Sequence, residues 1–199
     1  MSKRSGLLRI LTTMLGCVLV FGLVIGLNGC GKANDEELIR SAVTEVMDAF
    51  KNPTKENLKQ FVDESEVDLS ELDQYGIDIY EFLQHSFAHF DYKINEIKVD
   101  GNSATAALSL TNADLNKALT AAQEEYMAEI DYEALMNSED PEKEVAQQLF
   151  TKVYKKLDES EDLVTTDATL KLNKEDGEWK LDEDSVNAVV SGMYGGMEI

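Results

Sequence analysis

Apolar residues along this chain first recur at helical spacing, then alternate, then repeat both patterns. From residue 35 onward, Leu38, Ile39, Ala42, Val43, Val46, Met47 and Phe50 form one helical stripe. It predicts a first helix capped by Asn34 or Asp35, with acids at its start and Pro53 ending it. Thr54 then caps a short helix that turns Leu58, Phe61 and Val62 inward. Asp63 to Gly76 is acidic and weakly patterned, a loop with at most a helical turn. A third helix is expected from about Asp78 to Phe90, with Phe82, Leu83, Ser86, Phe87 and Phe90 on one side.

At Tyr92 the period falls to two. Tyr92, Ile94, Ile97 and Val99 lead to the turn Asp100-Gly101-Asn102, after which Ala104, Ala106, Leu108 and Leu110 alternate. The break between Ile94 and Ile97 places a bulge near Asn95-Glu96. Helical spacing returns with Leu115, Leu119, Ala122, Tyr126 and Ile130, and Pro141 restarts it through Val145, Leu149, Val153 and Leu157. A second hairpin carries Thr166, Ala168, Leu170 and Leu172, turns at Asp176-Gly177 and returns with Trp179 and Leu181. Val186, Val189, Val190 and Met193 close the chain on a short helix. The concave side of the sheet should set Trp179, Leu181, Leu170, Leu172 and Leu108 against Val43, Met47, Phe82 and Phe87.

The segment before this body has another character. Lys3, Arg4 and Arg9 precede a charge-free run, Ile10 to Leu27, and Leu27-Asn28-Gly29-Cys30 follows. That is the three-part layout of a signal peptide, although the run nears the length of an uncleaved anchor. Leu27-Asn28-Gly29-Cys30 resembles the bacterial lipobox. The resemblance implies a diacylglyceryl thioether on the Cys30 sulfur and cleavage before it; Cys17 is the weaker candidate. The chain then divides into a signal peptide at 1–29, a lipidated cysteine and short linker at 30–34, and one α+β domain at 35–199. About 115–159 of that domain is a helical insert.

Charge removes several functions. Over 199 residues, 18 Lys+Arg face 39 Asp+Glu, a net charge of −21, and the segment before Cys30 holds no acid at all. Such a surface excludes nucleic acid, which needs clustered cations, and adsorption to anionic lipid. With Cys17 and Cys30 the only cysteines, the mature domain would hold neither a disulfide nor a thiolate metal cluster.

The order of helices, hairpin, helical pair and final hairpin resembles Gram-positive extracytoplasmic lipoproteins with the nuclear-transport-factor-2-like (cystatin-like) α+β roll. The Pro53-terminated helix, the Asp100-Gly101-Asn102 hairpin and Asp176-Gly177-Glu178-Trp179-Lys180 carry the likeness. It implies a curved antiparallel sheet packed on the N-terminal helices, on the outer face of the membrane. The helical insert is longer than the simple roll needs.

Motifs for chemistry are sparse. His85 and His89 stand four apart with Glu81 one turn earlier, a candidate ligand ridge, but without the His-Glu-x-x-His order of a zinc site. Neither Gly101 nor Gly177 sits in an EF-hand loop, and Asp63–Asp73 and Asp182–Asp184 are candidates for dispersed calcium ligands. The Gly192–Gly196 end lacks the lysine and following helix of a phosphate loop. Asp91 and Tyr92 are formal acid–base candidates in a roll-fold enzyme, and Tyr92 and Trp179 candidate pocket walls. The balance favours a non-catalytic module without cofactor or metal, binding a small apolar ligand or an envelope protein. An extracytoplasmic roll-fold enzyme is the alternative.

Overall fold

The computed structural model describes residues 32–61 and 70–197. The signal segment, Cys30 and Val62 therefore lie outside the described residues. Helix α1 (Lys32–Lys51) and the short α2 (Lys55–Leu58) are followed by α3 (Ser70–Tyr75) and α4 (Ile79–Ser86). Strands β1 (Asp91–Asp100) and β2 (Ser103–Ala113) come next, then α5 (Leu115–Glu129), α6 (Tyr132–Asn137) and α7 (Pro141–Asp158). Strands β3 (Leu163–Glu175) and β4 (Glu178–Leu181) and helix α8 (Glu183–Met193) complete the chain. The four strands form one curved, open antiparallel sheet in the order β1-β2-β3-β4, so the class is α+β.

One face of this sheet is apolar. Ala104, Ala106, Leu108 and Leu110 of β2 are buried and stand in register with Leu172, Leu170, Ala168 and Thr166 of β3. Alternation delivers them to one side because strand side chains point to opposite faces. The β1 register slips between Ile94 and Glu96, as the spacing predicts. The extra residue keeps both Ile94 and Ile97 on the inner face. On the outer face Ser109 donates to Asp167 at 2.6 Å and receives a hydrogen bond from Asn95 at 2.8 Å, a polar row that water can reach.

Helix α1 packs on β1, and α8 on β3 and β2. Val43, Met47, Phe82, Phe87, Leu108, Leu170, Leu172 and Trp179 share one core, with Leu181 packed against it. Phe87 is its hub, with ring centroids 4.9 Å from Phe50, 5.8 Å from Phe90 and 5.1 Å from Tyr194. Asp176 and Gly177 both take positive φ (53° and 89°), as the two central residues of a type I′ hairpin turn must.

Several boundaries differ from the sequence reading, each for a local reason. Helix α1 begins at Lys32, so neither Asn34 nor Asp35 is its cap. Asp35 is buried instead, its carboxylate 2.9 and 3.1 Å from the Lys174 ammonium. Lys174 pairs with Trp179 across β3 and β4, and its ammonium lies over the indole, 5.2 Å from the ring centroid, so a lysine occupies an inner position as a cation on an aromatic face. The third helix stops at Ser86, and residues 87–89 form a turn that delivers Phe87 and Phe90 to the core. Ser70–Tyr75 is helical, a somewhat longer element than the single turn the acidic stretch allows. In α5 the buried stripe runs Leu115, Ala118, Ala122 and Tyr126, leaving Leu119 and Ile130 half-buried. Between α5 and α7 the chain forms α6, which the pattern does not announce.

Asn112 is a hidden keystone. Fully buried at the end of β2, it donates to the Ser86 carbonyl at 2.8 Å and the Met193 carbonyl at 2.6 Å, and its own carbonyl accepts from Ala113 at 2.8 Å. One amide so ties sheet, α4 and α8. The glycine-rich end closes the same corner: a Cβ on Gly195 would meet the Ala113 carbonyl at 2.4 Å, and φ there is +71°. Only glycine allows that approach.

Candidate functional site

The helical insert docks through α7. Helices α5 and α7 pack along each other, and α7 packs on α3 and α4. Lys152 bridges the first pair, 2.9 Å from Glu125 and 2.5 Å from Glu129, while Lys156 also reaches Glu125 at 2.5 Å. These two cations pull the Glu125 carboxyl down to about 2. A row of rings stitches α7 to α4: Phe82 to Phe150 (6.2 Å), Phe150 to Tyr154 (6.0 Å) and Tyr154 stacked on His85 (4.3 Å).

Residues 76–85, the start of α4 among them, and residues 147–159 of α7 and its end line an open groove of about 610 Å3. Ile77, Phe150 and Tyr154 give it an apolar floor, and Glu81, His85, Gln147, Thr151, Lys155 and Asp158 a polar rim. A few polar groups around an apolar floor are the ordinary composition of a ligand site. A second recess of about 310 Å3 shares Gly76 and Ile77 and is bordered by Lys55, Asp78 and Tyr80. Burial raises the Tyr154 phenol pKa, and the Glu81 and Asp78 carboxylates add to it, so the ring remains a neutral donor at physiological pH.

The two histidines of the chain converge on one residue. His85 Nδ1 lies 2.8 Å from Asp158 Oδ1, and His89 Nε2 lies 3.0 Å from the Asp158 backbone oxygen. His85 from the last turn of α4 and His89 from the turn after it thus both serve the C-terminal end of α7, where cations and N–H donors are favourable. Among the described residues no group of three or more His, Cys, Asp or Glu side chains is placed to hold a metal. Of the acidic stretches, Asp182 caps α8 by accepting from the Ser185 amide at 3.0 Å, and part of Asp63–Asp73 lies outside the described residues.

Asp91 and Tyr92 do not meet this groove. Asp91 pairs with Lys51 at 2.7 Å. The Tyr92 hydroxyl donates to Asp48 at 2.7 Å, and burial followed by that carboxylate pushes its pKa up to about 12. Trp179 is 0% exposed, so it packs in the core and lines neither recess; among the described residues its indole N–H has no hydrogen-bond partner. The residues that do line the groove escaped sequence reasoning, apart from Glu81 and His85. Tyr154 offered the faintest signal, an aromatic one position past the Val153 stripe of α7.

Among the described residues no helix is long and apolar enough to cross a membrane. Comparison with protein-family models, curated proteins and solved structures finds no match to this chain.

Proposed function

We propose that this chain is an extracytoplasmic lipoprotein, lipid-anchored through Cys30, that binds a small ligand without transforming it. In this reading the fold is a nuclear-transport-factor-2-like roll whose concave side is filled rather than hollow. Trp179, Tyr194, Phe82 and Phe87 occupy it, all buried. Binding then falls to the α4–α7 groove, and its apolar floor under a polar rim is the observation that carries the proposal. The Leu27-Asn28-Gly29-Cys30 sequence supports the address.

An enzyme of the roll fold is the second reading, and one observation favours it. The Asp158 carboxylate holds the His85 imidazole at the groove, an arrangement in which a base is oriented by an acid. A single experiment separates the two. Isotope-labelled full-length chain in detergent micelles is screened by NMR against a metabolite panel, alongside Thr151→Trp, which fills the groove, and His85→Ala. The binding reading expects amide shifts at Glu81, Gln147, Thr151 and Lys155, abolished by Thr151→Trp, with every bound compound recovered unchanged. Turnover that His85→Ala removes would establish the enzyme instead.

A further inference from the structure

Three of the large hydrophobic side chains most exposed among the described residues lie within ten positions of one another, at the outer end of the insert. Met127 is 56%, Tyr132 62% and Met136 86% exposed. Helix α6 buries none of its residues, yet it is firmly specified: Asp131 accepts from the Glu133 and Ala134 amides, both at 3.0 Å. Tyr132 and Met136 stand four apart and share one face of that helix. The chain thus holds a defined helix in place to present tyrosine and methionine to water. Burial elsewhere in the fold does not require this, because α5 and α7 pack on each other beneath it.

The surroundings are predominantly acidic, and Lys143, the nearest cation in sequence, runs its side chain toward Gly76. Glu129, Asp131, Glu133, Glu139, Asp140 and Glu142 flank the apolar residues. The neighbouring cations Lys152 and Lys156 are engaged by Glu125 and Glu129. We infer that the α6 face is a docking surface for a protein segment with apolar anchor side chains flanked by lysine or arginine. Charge selects this occupant. A second copy would bring the same carboxylates against themselves, and an anionic bilayer would be repelled by them. Methionine suits the role because its flexible thioether adapts to the anchors it receives, and tyrosine supplies the rigid contact of a binding hot spot.

The test uses the full-length chain in nanodiscs and two synthetic amphipathic helices of one pattern, leucine with lysine and leucine with glutamate. Fluorescence anisotropy should show binding of the lysine peptide and none of the glutamate peptide. The double variant Tyr132→Ser/Met136→Ser leaves the charge untouched and alters exposed side chains only; it should bind at least about tenfold more weakly. Thr151→Trp should bind like the parent. Equal affinity of parent and double variant would overturn the inference, since acidity alone would then attract the peptide. Dimerisation, or attachment to zwitterionic vesicles, that the double variant abolishes would overturn it as well.

Discussion

The imidazole of His85 and the carboxylate of Asp158, separated by 73 residues of sequence, meet at 2.8 Å and join α4 to the last turn of α7. Both residues line the groove, so α7 of the insert and α4 meet at its rim.

Replacing Asp158 with alanine should loosen this junction and little else. Both partners are partly exposed, so the cost should be about 0.5 kcal/mol. Hydrogen exchange should quicken in the last turn of α7 while the β2 amides keep their protection. Uniform loss of protection across the sheet would show that the contact supports the whole fold.

Asn112→Ala should be far more damaging, at about 3 kcal/mol. It strips partners from the buried Ser86 and Met193 carbonyls and from the Ala113 amide at once. Urea unfolding followed by Trp179 fluorescence measures it. A loss below about 1 kcal/mol would mean that relaxation or water replaces the amide.

Glu125 sets an acid-side dependence. Its folded pKa of about 2 lies below the ordinary 4.5, so its contribution is present in full above pH 4.5 and disappears as pH falls through 2. The parent should therefore exceed Glu125→Gln in stability at pH 6, and the gap should close on acidification. Denaturant midpoints for both chains at pH 6, 4 and 2.5 test this; a gap that stays constant contradicts it.

The legible part of this fold is the part written in local periodicity. Ile94 and Ile97 announced their bulge by spacing alone, and Asp176-Gly177 specified its turn because few residue pairs accept positive φ twice. What escaped depends on partners distant in sequence. Lys174 breaks an apolar alternation for the sake of Asp35, 139 residues away, and the sequence marks neither as half of a pair. Asn112 carries no mark in the sequence, because its bonds to Ser86 and Met193 come from tertiary structure. His85 and His89 showed the spacing of ligands, yet the backbone and side chain of Asp158 take both. The groove was invisible for the same reason: its lining comes from two segments, 76–85 and 147–159, that are far apart in the chain.

The account turns on Cys30. Mass spectrometry of the protein extracted from membranes should show a mature chain beginning at an acylated Cys30, with Met1–Gly29 removed; a chain that retains Met1–Gly29, or begins at an unmodified residue, would contradict it.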